Sequence, residues 1–342
     1  MKKKQLRIIL SFCFVLLFVN SYALEENKKP FVEININNNP SCNTSLENIA
    51  KAEIWNLENE PNILINGENF SDGFHIIQII IDGKIIAEEK INPINNIFER
   101  KFNLEKPLKN LNPIIKIKID DDFTQIFNVQ LNKLYGNVKY FNRKPVSEPI
   151  IIADDILTIG DSLGYFEIYL SNKKKYTVSV FDKDYSKKTL ECYLYDVNLS
   201  KDTKVNILID KLEVYQLHCW QGFSSTYLHF IPMSVSRANR IDKEKFGNQK
   251  LIASQPDVWP EIKKDEIKVF VNESEVSVLT FCVSDDFLYD VDSKSITRPA
   301  YLISIPKVKN SGQIIKVQVQ DSLLIDGKKI IEKGEGYYFG FY

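Results

Sequence analysis

Chemistry at neutral pH needs a titrating or nucleophilic group, and this chain has only three histidines, His75, His218 and His229. His218 and His229 stand near Cys219, the arrangement of a thiol nucleophile beside an imidazole base. Strand alternation argues against the nearer pair, because His218 and Cys219 are neighbours and neighbours in a strand point to opposite faces. His229 can still approach Cys219 from an adjacent strand. The chain contains no Gly-x-Ser-x-Gly turn, no His-Glu-x-x-His and no phosphate-cradling loop. The residues therefore assign no catalytic group and no cofactor, and they predict a protein that is not an enzyme.

Three further sets of side chains carry chemistry of other kinds. Acidic runs occur at Asp120-Asp121-Asp122, Asp154-Asp155 and from Asp285 to Asp292. Asp290 and Asp292 could place alternate carboxylates on one side as calcium ligands, but the run lacks the glycine and distal glutamate of a calcium loop, so a solvated turn is the preferred reading and no metal is assigned. Cys42, Cys192, Cys219 and Cys282 follow the N-terminal segment. In an exported chain they permit two disulfides in three connectivities, and their spacing fits no zinc site. Cys192 alternates in step with Leu190 and Leu194, so a buried free thiol is an equal alternative. Last, Tyr165 and Tyr169 oppose Phe166, Ile168 and Leu170, while Tyr193 and Tyr195 oppose Leu190, Cys192 and Leu194. If those strands share a sheet, four tyrosines line its outer side. Such a face needs a partner, either a neighbouring domain of the same chain or a glycan whose pyranose faces stack on the rings.

The elements that must position these groups are strands. Residues 1–23 read as a signal peptide: a basic start, a short apolar run from Ile8 to Val19 and the small-residue end Ser21-Tyr22-Ala23. The apolar run is shorter than the roughly 20 residues of a membrane span, and no second such run follows. Residues 24–49 are a polar, Asn-rich lead-in. From residue 50 onward, short alternating segments separated by Gly, Asn and Asp recur; Ile115, Ile117 and Ile119 against Lys116 and Lys118 are the clearest. Asp82-Gly83 signals a hairpin. The polar cluster 171–175 reads as a hairpin loop between the strands Tyr165–Leu170 and Tyr176–Phe181, Gly160 to Gly164 as a polar turn, and Ile267–Val271 as a further strand. The net charge of −1 lacks the basic excess of a nucleic-acid binder. The expected fold class is all-β, in tandem sandwich modules spanning 50–130, 131–212 and 213–342. The stretch Ser236–Pro260 is expected to form a long loop or a lid over the third module.

Two stretches resemble known families. Gly136 and Val138, then Pro145-Val146, then Thr158, Asp161, Gly164 and Phe166 follow the pattern of carboxypeptidase regulatory-like domains. The departure is Arg143-Lys144, where a glycine often precedes the proline. The resemblance implies a transthyretin-like sandwich for 131–212 and an appendage without peptidase activity. Upstream, Ile65, Gly67, Asn69 and Phe70 resemble the repeated phrase of immunoglobulin-like TIG modules. That resemblance implies a spacer or binding module for 50–130. Together these features predict an exported binding or adhesion-type protein of the cell envelope, periplasmic, surface-bound or secreted, contacting a protein or a glycan. The alternatives are a secreted hydrolase with its site under Ser236–Pro260 and a structural subunit of a surface assembly joined through edge strands.

Overall fold

The computed structural model describes residues 29–37 and 61–340, except 155, 173, 241–254, 256–257, 292–293, 310–311 and 326. The expected signal peptide, Cys42 and Asp292 lie outside the described residues, as does most of the expected lid. What is described is all-β, as the alternation predicts, and its strands group into two compact units. Among the described residues no helix is long and apolar enough to cross a membrane.

Of the described residues, the first unit takes in 29–35, 63–102 and 114–128. Its strands are β1 (Phe31–Asn37), β2 (Asn62–Glu68), β3 (His75–Ile81), β4 (Lys84–Ile91), β5 (Ile97–Asn103), β6 (Ile114–Ile119) and β7 (Phe123–Asn128). They form a three-stranded sheet, β1-β2-β5, and a four-stranded sheet, β4-β3-β6-β7. Ile77 and Ile79 of β3 and Ile115, Ile117 and Ile119 of β6 are buried on one face, with Lys116 and Lys118 between them on the other. Asp82 and Gly83 make the β3–β4 turn, both at positive φ as a two-residue hairpin requires. Phe70 sits edge-on to Phe98 of β5 and Phe123 of β7. The Gln125 amide exchanges two hydrogen bonds with the Val32 backbone, joining β7 to β1.

The second unit holds the described residues of 129–340 together with 36–37, 61–62 and 103–113. In chain order come β8 (Leu131–Tyr140), β9 (Ile150–Ala153), β10 (Ile156–Ile159), β11 (Tyr165–Ser171), β12 (Tyr176–Phe181), β13 (Cys192–Val197), β14 (Thr203–Lys204) and β15 (Ile207–Ile209). Then follow β16 (Leu212–Gln221), β17 (Ser225–Ser234), the short helix α1 (Val235–Arg240), β18 (Ile267–Val271), β19 (Ser274–Val276), β20 (Thr280–Val291), β21 (Lys294–Pro306), β22 (Ile315–Ile325) and β23 (Lys328–Tyr338). One wide sheet runs β10-β9-β12-β13-β23-β22-β18-β19. A second, built on β8 with β11, β14 and β15, encloses with it the core of Leu134, Phe166, Ile168, Val178, Cys192 and Leu194. A third, β16-β17-β21-β20, encloses with it the core of Val214, Cys219, Phe230, Val269, Ile303 and Val317.

Successive residues of β23 serve the two cores. Tyr337 belongs to the first and Tyr338 to the second, so the two cores lie on opposite faces of the wide sheet. The approach of β16 to β23 depends on two glycines. A Cβ on Gly334 would run into the Leu212 carbonyl, and one on Gly336 would come within 2.9 Å of Val214 Cβ.

Three expectations are corrected. The boundary drawn between 212 and 213 cuts a continuous sheet, because β13 pairs in parallel with β23, Leu194 opposite Tyr337. The polar cluster 171–175 joins two sheets instead of turning a hairpin: β11 pairs with β8, and β12 pairs with β9 and β13. The acidic run read as a turn is strand β20. Asp disfavours strands, but Asp286 and Asp290 find cross-strand partners in Arg298 and Ser295. By contrast, the turn at 160–164 is as expected. Asp161 Oδ1 accepts from the Leu163 and Tyr165 amides, both at 2.9 Å, and Gly164 has φ +84°.

Replacing Gly334 by Ala tests the close approach of β16 to β23. Strand propensity alone would favour Ala by about 0.5–1 kcal/mol, while overpacking costs about 1–3 kcal/mol. Chemical denaturation is expected to show a net loss of stability in G334A; an unchanged or raised midpoint would contradict this packing.

Candidate functional site

The four tyrosines expected to line one face do not share a sheet. Tyr165 and Tyr169 are on β11, and Tyr193 and Tyr195 are on β13 of the wide sheet. The latter pair is covered by the same chain. Tyr193 stacks on Tyr195 at 5.4 Å and meets Tyr215 of β16 edge-on at 5.7 Å. Its hydroxyl donates to Glu191 Oε1, and the Gln216 amide donates to the Tyr195 hydroxyl. Burial pushes both phenols far above their ordinary range. Intramolecular packing therefore accounts for Tyr193 and Tyr195. Tyr165 is exposed and donates to Glu167 at 3.2 Å, and Tyr169 is half-buried on the same strand face.

The cysteine expectations resolve in favour of free thiols among the described residues. Cys192 is buried in the first core and Cys219 in the second, while Cys282 is exposed. Burial raises the Cys192 and Cys219 thiols well above the ordinary value. A Cys219–His229 pair does not form. His229 lies directly opposite His218 in the β16–β17 register, whereas Cys219 lies opposite Leu228 on the core face. Asp290, a calcium candidate, accepts from Ser295 Oγ at 2.8 Å. Among the described residues no three His, Cys, Asp or Glu side chains gather as metal ligands.

At the start of the expected lid, α1 is pinned by two buried acids. Asp321 and Glu332 are cross-strand partners on β22 and β23. Arg237 pairs with Asp321 at 2.8 Å, and Ser234 Oγ donates to Glu332 at 2.6 Å. Burial raises the Glu332 carboxyl above its ordinary value. At the lid's far end, Val258 and Trp259 pack on Ile231 and Ala300.

The pairing that separates Cys219 from the histidines creates a different surface. With Leu217 and Cys219 turned to the core, His218 and Trp220 turn outward. Across β17 they face His229 and Tyr227. Trp220 and Tyr227 lie 5.7 Å apart with planes 16° from parallel, and Trp220 is 45% exposed. At the adjoining hairpin tip, Phe223 is fully exposed. Further along the same sheet Arg298 donates to Asp286 at 3.0 Å and to Gln216 Oε1 at 2.9 Å. Gln216 itself sits in the bulge between Tyr215 and His218, at φ +51°. Bulges of this kind re-aim side chains at strand positions that bind ligands. Burial, and behind it the His218 and Arg298 charges, lowers the His229 pKa, with Asp286 opposing. Its imidazole is thus neutral at pH 7 and can both donate and accept.

This face is open at its Trp220 end and is covered by Val258 and Trp259 where it reaches Ile231 and Ala300. It combines flat apolar rings with planar amide, guanidinium, carboxylate and imidazole groups. The sequence reading did not assign Trp220, Tyr227, Gln216 or Arg298. The parity that turned His218 away from Cys219 also places Trp220 outward, and this signal was available without the structure.

No family model matches the chain, and no curated protein matches it. Among solved structures, one titled a "putative carbohydrate binding protein" from Bacteroides uniformis is similar at 12% identity, covering 61% of this chain and 98% of that one, with a TM-score of 0.20. A likeness at that score carries no argument about this chain.

An NMR titration of the histidines checks the electrostatics of the open face. His229 is expected to titrate below 6.5, and its midpoint should rise in His218→Ala, where a repelling neighbour is gone. A midpoint at or above 6.5, or one that His218→Ala leaves in place, would contradict this surface.

Proposed function

We propose that this chain is an exported, non-catalytic binding protein of the cell envelope, and that it contacts a glycan through the open face of the β16-β17-β21-β20 sheet. The observation that carries this reading is the Trp220–Tyr227 pair beside His218 and His229, with Arg298, Asp286 and Gln216 on the same sheet. An antiparallel sheet needs one apolar face for its core, and the other is free to be polar. Here that second face bears large rings instead, and exposed apolar patches on a folded protein mark contact sites. The pyranose ring offers a C–H face that stacks on an aromatic plane and equatorial hydroxyls that pair with planar polar groups. The face on β16, β17 and β21 offers both kinds of partner.

Two further parts of the reading rest on the sequence. The 1–23 segment supports export, and the Gly136-to-Phe166 pattern supports a carboxypeptidase regulatory-like appendage in 131–212. The buried, high-pKa state of Cys219 and its separation from His229 favour a binder over the hydrolase alternative.

A glycan array probed with the purified protein, followed by titration of the best ligand, tests the proposal. Exposed aromatic anchors in binding sites are worth about 2 kcal/mol or more when truncated, which is roughly thirtyfold in affinity. The Trp220→Ala/Tyr227→Ala variant should lose that much and keep its melting temperature within a few degrees. Binding of no glycan, or unchanged binding by the double variant, would contradict the proposal.

A further inference from the structure

The wide sheet is broader than the sheet that covers its first face. β8 and its neighbours cover β9, β12, β13 and the Tyr337 end of β23, and β15 is the last strand on that side. Beyond it, no sheet among the described residues covers the same face of β23, β22 and β18. By strand parity this face carries Glu335, Gln318, Lys316, Lys268 and Phe270, opposite the residues of the second core. Two adjoining hollows of about 510 and 260 Å³ lie between this face and the edge formed by β8 and β15. Arg143, Leu208 and Gln318 line both.

The floor is fixed by hydrogen bonds. Glu335 is buried, and its oxygens accept from the Leu208 amide at 2.6 Å, the Tyr337 hydroxyl at 2.7 Å and Gln318 Nε2 at 2.7 Å. The Tyr337 hydroxyl is also placed against the Asn206 carbonyl at 2.8 Å. Burial raises the Glu335 carboxyl above its ordinary value, against the opposing effect of the hydrogen bonds it accepts and of Lys316. The walls carry more cations than acids. Lys139, Arg143, Lys204, Lys268, Lys316 and Lys333 line the two hollows, in a chain whose overall charge is −1. Lys316 is held by Glu273 at 3.0 Å and lies over the Phe270 ring. Among the described residues Lys139, Arg143 and Lys204 have no ion-pair partner. Asp265, Glu266, Glu273 and Glu335 line the same hollows, so six cations stand against four acids, a formal excess of two positive charges. A concave site with such an excess concentrates anions.

Arg143 is the most telling of the three. Its φ is +71°, and it is the one cation among the described non-glycine residues in the left-handed region, where Asn and Asp predominate. A tight turn holds it there: the Arg143 amide donates to the Tyr140 carbonyl and the Tyr140 amide to the Lys144 carbonyl. Glycine would occupy this position without strain, and strained positions cluster where a side chain has a task.

We propose that this cleft binds a small hydroxylated organic anion, an acidic sugar, whose acid group is held by Arg143, Lys139 and Lys204 and whose hydroxyls meet Asn137, Asn206 and Gln318. The cleft and the Trp220–Tyr227 face are separate sites with no lining residue in common, so either can fail without the other.

Isothermal titration of the full chain with galacturonate trimer, neutral galactose trimer, glucose 6-phosphate and inorganic phosphate tests the proposal. Binding of the uronate or the sugar phosphate is expected, weakening as salt is added, with the neutral trimer at least tenfold weaker; which acid binds distinguishes a carboxylate from a phosphate source. Arg143→Gly is the decisive variant, because it removes the guanidinium and relieves the backbone. It should weaken binding about tenfold or more, the scale of a charged hydrogen bond, at an equal or higher melting temperature. Lys204→Ala should weaken binding in the same sense, and Trp220→Ala/Tyr227→Ala should leave it unchanged. No binding of either acidic sugar, equal binding of the neutral trimer, inorganic phosphate bound as tightly as the sugars, or unaltered binding by Arg143→Gly would each overturn it.

Discussion

Strand β23 has to satisfy two cores at once. Tyr337 faces the core closed by the β8 sheet, and Tyr338 faces the core closed by the β16 sheet. Period-two alternation makes this possible, since one strand presents a different set of side chains to each side. The cost is that neither face can be spared. Gly334 and Gly336 complete the arrangement by leaving room for β16, and parallel pairing with β13 ties the wall into the sheet that begins at β10. The C-terminal strand thereby links residues more than a hundred positions apart, and the region from residue 129 onward folds as one compact unit.

Both candidate surfaces follow from this sharing. Because the two sandwiches cover opposite faces of one sheet, each leaves part of that sheet, or of its partner, uncovered. Beyond β15 the uncovered part is the cationic cleft floored by Glu335 and Gln318. On the outer side of the β16 sheet it is the face with Trp220 and Tyr227. Polar residues tolerate such places, which is why the cleft face alternates Lys316, Gln318 and Lys333 with core residues.

The sequence made the elements legible and left their partners hidden. Alternation located β6, β11 and β18 closely, because one face of each is more buried than the other. It could not say which strands pair, since pairing is decided by contacts distant in the chain. The tyrosines show the consequence. Tyr193 and Tyr195 do oppose Cys192 and Leu194, as read, but the side they turn to is covered by Tyr215 and Gln216, and Tyr165 belongs to another sheet. The strand carrying Asp285, Asp286 and Asp290 was hidden for a different reason: local preference opposed it, and only Arg298 and Ser295 on the neighbouring strand reverse the balance. Of the open face, His218 and His229 were singled out for a role with Cys219 that the register excludes, while Trp220 went unassigned.

Native-state hydrogen exchange across a denaturant series tests the shared wall most directly. If β23 serves both cores, the slowest amides of β12 and β13 and those of β17 and β22 should open together, with the same free energy and the same denaturant dependence. Separate openings, with 131–210 exchanging independently of 212–340, would show two sandwiches that merely adjoin and would contradict the account.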